Sequence, residues 1–136
     1  MSEQSDPQKE LKVQKGIRQS EDDLVTWIQD ALDNTIYGDL EESQFRNLVR
    51  VADTTESVEA IKNFIRYQVG RDKKWGRGKG SLAEKIIEDI DGNIKKSAQI
   101  IAEFCQTDYK PTWLELIRRY LGYGARHLKY KRDGVA

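Results

Sequence analysis

The segment SLAEKIIEDIDGNIKKSAQIIAEFC, residues 81–105, decides the fold class. Ser81 and Glu84 form a Ser-x-x-Glu capping box, which is typical of a helix start. The apolar residues that follow recur every three or four positions, so they share one face of a helix. They are Ala83, Ile86, Ile87, Ile90, Ile94, Ala98, Ile101 and Cys105. The pattern predicts a long amphipathic helix with an interruption at Asp91-Gly92, because glycine weakens a helix.

The same period appears on both sides of this segment. Helices are predicted to begin at Ser20, shortly before Phe45, at about Ser57 and at about 113. Ser20 and Asp23 resemble a capping box for the first of them. No stretch alternates in the manner of a strand, and there is no internal repeat. The sequence therefore predicts an all-α fold, with a single-domain bundle of five or six helices over residues 20–136.

The first nineteen residues look different. Residues 1–19 have mixed charge, Pro7 and Gly16, and no apolar period, so we expect a mobile N-terminal arm. They contain no signal-peptide core, and no stretch of the chain approaches the ~18 apolar residues of a membrane span. The one cysteine, Cys105, cannot form an internal disulfide, and its place on an apolar stripe predicts a buried thiol. We expect a cytoplasmic protein with no membrane partner.

Charge is segregated along the chain, although the formal net charge is zero. Residues 21–59 carry eleven Asp and Glu against two Lys and Arg, whereas residues 60–136 carry seventeen basic against nine acidic residues. A basic surface attracts polyanions, and an acidic one attracts basic partners. The segregation therefore predicts one surface for nucleic acid and another for neighbouring proteins, including further copies of this chain.

Residues suited to catalysis or metal binding are scarce. His127 is the only histidine, and no serine or cysteine near it is placed as a nucleophile. A lone histidine and a lone cysteine do not make the ligand cluster that a metal needs. GRGKGS at 76–81 lacks the GxxxxGK[ST] spacing of a phosphate-binding loop. We expect neither an enzyme nor a protein with a metal or cofactor.

Two basic segments with interleaved aromatic residues predict a nucleic-acid interface. One runs from 62 to 79 and includes the glycine-rich stretch GRDKKWGRGKG at 70–80, and the other occupies 118–132. Cations neutralise phosphates and aromatic faces stack on unpaired bases, so the combination suits single-stranded RNA with little sequence readout. The predicted contact residues are Lys62, Arg66, Arg71, Lys73, Lys74, Trp75, Arg77, Lys79, Arg126 and Lys129.

At these residues the chain resembles the small helical subunit of type III (Csm-type) CRISPR effector complexes. SQFR at 43–46 resembles that family's Ser/Thr-Gln-x-Arg element, and YQVGR at 67–71 resembles the end of its Lys-rich helix. YGARHLKY at 123–130 resembles a scattered form of its C-terminal Tyr-His-Lys cluster. The proline that usually precedes the tyrosine of the second element is absent. The similarity covers residues 40–131.

The resemblance implies a non-catalytic subunit of an RNA-guided antiviral ribonucleoprotein, present in more than one copy. Such a subunit lies beside the repeated backbone subunits and binds guide RNA and target RNA through their backbones. By position, the resemblance implies which residues line the groove that holds these RNA backbones. They are Arg46, Lys62, Arg66, Arg71 and Arg126, and also Lys129.

Three other functions stay open from the sequence. A stand-alone DNA-binding regulator would need a recognition helix with exposed base-reading side chains after a short turn, and no helix clearly has this form. A metal-independent RNA-cleaving enzyme could use His127 with Arg126 and a tyrosine. A protein-interaction adaptor would bind no RNA at any salt concentration.

Overall fold

The computed structural model describes residues 7–134, which form one all-α domain, so the predicted helical bundle is confirmed. The α-helices are α1 (Pro7–Gln19), α2 (Glu21–Asp33), α3 (Glu42–Thr54), α4 (Val58–Arg71), α5 (Leu82–Asp89), α6 (Lys95–Cys105) and α7 (Tyr109–Lys129). Two π-helical segments, Ile90–Ile94 and Tyr130–Gly134, follow α5 and α7. The first joins α5 to α6, so residues 7–134 form six helical rods. None of these helices is long and apolar enough to cross a bilayer.

The central helix of the bundle is α7, which packs against α2, α3 and α6. Its inner face includes Ile117, Tyr120 and Leu121, all fully buried. Gly124 allows α7 to approach α2 and α3 closely, because a Cβ there would lie 2.7 Å from Cγ1 of Ile28 and from an edge carbon of the Phe45 ring. The packing of α7 against α2 and α3 brings the basic C-terminal helix beside the acidic segment of the chain.

α7 begins earlier than the sequence predicts, at Tyr109 rather than near 113. The Asp108 carboxylate accepts a hydrogen bond from the Lys110 amide at 3.2 Å, so Asp108 caps the helix. Pro111 is tolerated in the first turn, where its missing N–H would have no partner within the helix.

The prediction of a mobile arm over residues 1–19 is wrong for the part of that segment that the structure describes. Residues from Pro7 onward form α1, which packs against α6 and buries Val13 and Ile17. These two apolar residues are too few to show a helical period in the sequence. Residues 1–6 lie outside the described range.

The predicted capping box at Ser20 is also wrong. Ser20 has helical backbone angles, and its hydroxyl donates to the Gly16 carbonyl oxygen at 3.0 Å instead of capping α2. Because α1 runs almost directly into α2, Ser20 remains part of a helical turn. The predicted cap at Ser81 is confirmed, because its hydroxyl accepts from the Glu84 amide at 3.2 Å. Ser57, where a helix start was predicted, also caps α4 and accepts from the Ala60 amide at 3.0 Å.

The interruption predicted at Asp91-Gly92 is a π-helical turn rather than a break. Trp113 donates its indole N–H to the Ile90 carbonyl oxygen at 2.8 Å, which ties this turn to α7. Beside it, the Tyr120 hydroxyl donates to the buried Asp89 carboxylate at 2.6 Å. Burial raises the pKa of Asp89, and the hydrogen bond from Tyr120 opposes that rise. At the end of α6, Cys105 is buried as predicted.

Candidate nucleic-acid interface

The glycine-rich segment 70–80 is organised around Trp75. Its side chain is only 1% exposed and stacks on Phe45, with 5.5 Å between the ring centroids. Its carbonyl oxygen accepts a hydrogen bond from the Ala83 amide at 3.1 Å. The prediction that Trp75 stacks on nucleobases is therefore wrong. The indole lies in the core, because a large aromatic surface gains most from burial there.

Backbone pairing holds the second half of the same segment. Ile36 and Ser81 form an isolated parallel bridge, in which the Ile36 amide donates to the Gly80 carbonyl oxygen at 2.8 Å. Gly76 has a φ of 80°, and a Cβ at this position would collide with the Ile36 carbonyl oxygen. Only glycine suits both the backbone angle and the space. The segment is therefore held in place by contacts along its length.

Basic residues of α4 and of this loop precede and follow the anchored tryptophan along the chain. We call six of them the loop cluster: Arg66, Arg71, Lys73, Lys74, Arg77 and Lys79. Five are exposed and Lys74 is half-buried. Within residues 7–134, no carboxylate oxygen lies within 4.0 Å of any of their side-chain nitrogens. The carboxylate of Asp72 instead accepts from the Lys74 amide at 2.9 Å.

Two contacts bring the glycine-rich loop against α4. Arg77 donates to the Val69 carbonyl oxygen at 3.2 Å, which places its guanidinium over the end of α4. Arg66 and Gly78 line the same shallow depression, together with Glu84 and Glu88 of α5. The loop cluster is therefore a group of cations that forms no direct ion pair in the described part of the chain, and such a surface attracts polyanions.

Half of the basic residues of α7 and the turn after it are paired with carboxylates of the acidic segment. Arg119 lies 3.4 Å from a carboxylate oxygen of Glu21, and Lys131 lies 3.0 Å from one of Asp33. His127 donates its Nε2 proton to Asp33 at 2.9 Å, because an ionised carboxylate can only accept. Burial alone would raise the pKa of Asp33, but His127 and Lys131 outweigh it and lower the pKa.

Arg118 contacts the backbone at the end of α3. It donates to the carbonyl oxygens of Ala52 at 2.8 Å and of Thr55 at 2.9 Å. The last carbonyls of a helix lack partners within that helix, so a guanidinium is well placed to satisfy them. Arg118 thus stabilises the contact between α7 and α3.

The prediction that Lys62 contacts phosphate is wrong. Lys62 is 7% exposed, and its ammonium lies 2.9 Å from Glu59 and 3.0 Å from Asp91. Burial alone would lower the pKa of Lys62, but hydrogen bonds and charge from these two carboxylates raise it above its ordinary value. The charge of Lys62 is therefore neutralised inside the fold, where it links α4 to the π-turn.

Two other predicted residues are exposed but locally paired. Arg46 forms an ion pair with Glu42, and Lys129 forms one with Asp133 at 2.6 Å. The hydrogen bond and charge of Asp133 raise the pKa of Lys129. No hydrogen bond or ion pair in the described part of the chain joins either residue to the loop cluster.

The residues that an RNA-cleaving enzyme would use, His127, Arg126 and a tyrosine, lie around one open depression at the end of α7. The Arg126 guanidinium is 5.7 Å from the centroid of the Tyr123 ring, and the His127 and Tyr130 ring centroids are 6.1 Å apart. Nε2 of His127 is already bound to Asp33. Among the described residues, no group of three or more His, Cys, Asp or Glu could hold a metal ion. Arg126, a predicted RNA-binding residue, is exposed here and apart from the loop cluster.

One feature that the sequence analysis missed is a groove of about 400 Å³ between α3 and α4. Arg50, Tyr67 and Arg71 are among its lining residues, none of which is acidic. The Tyr67 side chain is 59% exposed. The sequence contained a signal for it, because Tyr67 lies off the apolar stripe of α4 and an aromatic residue off the stripe faces solvent.

No family model, no curated protein and no solved structure matches this chain. The candidate interface consists of the loop cluster and the exposed face of α4 beside it. Its cations are of the type that neutralises phosphate groups, and they lie on α4 and on the folded loop that follows it.

Proposed function

We propose that this protein is a non-catalytic RNA-binding subunit whose loop cluster holds the sugar-phosphate backbone of single-stranded RNA. One observation carries the proposal: six neighbouring cations have no carboxylate partner in the described part of the chain, although the same fold pairs most cations of α7. Each phosphate that such cations neutralise releases condensed counterions, which favours binding. The anchoring of the loop by Trp75 lowers the entropic cost of ordering it on RNA.

Within that class, we propose the small subunit of a type III CRISPR effector complex, an RNA-guided antiviral ribonucleoprotein of the cytoplasm. Its partners are guide RNA, target RNA, other subunits of the complex and further copies of itself. Support comes from the YQVGR element at 67–71, which leads from the exposed face of α4 into the loop cluster. The SQFR element at 43–46 has a structural use as well, since Gln44 accepts from the Glu41 amide at 3.0 Å and caps α3.

The test is the salt dependence of binding to a labelled single-stranded RNA. Replacing Arg66 and Arg71 together by Ala is expected to weaken binding and to reduce the log–log salt slope by roughly 0.7 for each phosphate that is no longer neutralised. A matched control replaces Lys96 and Lys110, two exposed cations elsewhere on the surface, and is expected to leave affinity and slope unchanged. If the Arg66 and Arg71 double variant binds like the unmodified protein, the interface is in the wrong place.

The same preparation separates the alternative functions. Tight binding to one duplex DNA sequence would indicate a regulator, and RNA cleavage that disappears in His127→Ala would indicate an enzyme. Absence of RNA binding at every salt concentration would indicate an adaptor. Purification of the native assembly, with identification of the RNA and proteins that co-elute, tests the effector-complex assignment.

A further inference from the structure

The groove between α3 and α4 combines an exposed aromatic ring with polar and cationic walls. The Tyr67 ring lies 6.4 Å, centroid to centroid, from the partly buried Phe64 ring, which supports it from the inner side. Asn47 and Gln68 also line the groove. Amide side chains both donate and accept hydrogen bonds, as the edges of an unpaired base require.

Cations lie on both helices that form the groove. Arg50 projects from α3, and its guanidinium donates to Asn47 at 2.6 Å, which orients it. Arg71 lines the groove from α4 and is also a member of the loop cluster. Because Arg71 belongs to both surfaces, an RNA strand whose phosphates follow the loop cluster passes directly beside Tyr67.

We infer that this groove binds one unpaired nucleobase of the RNA, stacked on Tyr67, while Arg50 and Arg71 contact the flanking phosphates. The inference rests on the proposed function, since it concerns the same bound strand. Stacking is tolerant of sequence because every base has a π-face, so the site adds affinity without strong readout. The groove volume of about 400 Å³ lies within the range of roughly 300–1,000 Å³ usual for small-ligand sites.

The experiment compares two probes of equal length and charge: oligo(A) RNA and an abasic oligonucleotide. Tyr67→Ala is expected to weaken oligo(A) binding by about 5- to 100-fold, because the stacking of one base is removed. Its affinity for the abasic probe and its salt slope are expected to match those of the unmodified protein. Tyr67→Phe keeps the stacking surface and is expected to bind oligo(A) nearly as well.

The matched control is Tyr130→Ala, because the Tyr130 side chain is 58% exposed and Tyr67 59%. Tyr130→Ala is expected to bind both probes normally. If it loses as much oligo(A) affinity as Tyr67→Ala does, the base-binding site at Tyr67 is overturned. Normal oligo(A) binding by folded Tyr67→Ala would overturn the base-binding site. It would not contradict the proposed binding of phosphates by the loop cluster. Failure of the unmodified protein to bind either probe would overturn the proposed function itself. Circular dichroism verifies that each variant is folded.

Discussion

The loop cluster and the basic residues of α7 differ in what surrounds them. In α7 and the turn that follows, Arg119, His127 and Lys131 contact the carboxylates of Glu21 and Asp33. In the loop cluster, no described carboxylate comes within ion-pairing distance of any of the six basic side chains. Two basic segments of the chain thus have different surface electrostatics. Charge on a partner-binding surface therefore depends on tertiary pairing as well as on composition.

This difference follows from the order of packing in the bundle. α7 lies against α2 and α3, so the most basic helix contacts the most acidic stretch of the chain. Much of the charge segregation that the sequence shows is therefore neutralised within one molecule. The loop cluster forms no ion pair within residues 7–134 because the contacts that anchor the loop are made by backbone atoms and aromatic rings, as those of Trp75 show.

The largest effect is expected from Trp75→Ala, which removes the anchor of the loop cluster but none of its cations. Loss of a large buried aromatic side chain is expected to lower the free energy of unfolding by roughly 3–5 kcal/mol. Urea denaturation measures this free energy of unfolding. Trp75→Phe, which keeps part of the packing against Phe45, is expected to lose less. An unfolding free energy close to that of the unmodified protein would show that the indole does not anchor the loop.

A smaller loss of stability is expected from Arg118→Ala. Its hydrogen bonds to the carbonyl oxygens of Ala52 and Thr55 tie α7 to α3, so its removal is expected to cost about 1–3 kcal/mol. RNA affinity is expected to stay unchanged. Arg66→Ala is the counterpart in the loop cluster and is expected to change stability by at most about 0.5 kcal/mol while weakening RNA binding. If Arg118→Ala reduces RNA affinity as strongly as Arg66→Ala does, the distinction between structural cations of α7 and RNA-binding cations of the loop cluster is wrong.

The smallest effect concerns pH and the pairing of Asp33 with His127 and Lys131. Because the folded-state pKa of Asp33 is lowered, its stabilising contribution is present above the unfolded pKa of about 3.9 and is lost as the pH falls through the folded pKa. Asp33→Asn is expected to be less stable than the unmodified protein by at most about 1 kcal/mol at pH 6, since the carboxylate is partly exposed. The gap should close below pH ~3.9. Urea denaturation at several pH values measures the difference in unfolding free energy between the two proteins. A difference that does not change with pH would contradict a stabilising role for the Asp33 carboxylate.

Helix positions were predictable wherever apolar residues were numerous. The stripe that begins at Ala83, the helix start at Ser57 and the serine cap at Ser81 depend only on local spacing, and the structure confirms them. α1 escaped prediction because Val13 and Ile17 are its only buried residues. They gain burial from α6, which lies far away along the chain, and local periodicity does not report such contacts.

The candidate site was predictable in part. Spacing alone identified the basic segment from 62 to 79, but not which of its residues would be buried. Lys62 pairs with Asp91, twenty-nine positions away, and Trp75 stacks on Phe45, thirty positions away. Both contacts exist only after α3, α4, the glycine-rich loop and the π-turn have packed. Tyr67 needed no tertiary information, since its position off the apolar stripe already indicated exposure.

The most direct test of the central claim is the salt slope of single-stranded RNA binding in two charge-matched triple variants. One carries Lys73→Gln, Arg77→Gln and Lys79→Gln, and the other carries Arg119→Gln, Lys129→Gln and Lys131→Gln. If the loop cluster contacts phosphates and the α7 cations are occupied by carboxylates, the first variant loses about two units of log–log slope and the second keeps the slope of the unmodified protein. An equal or larger loss of slope in the α7 variant would contradict the account.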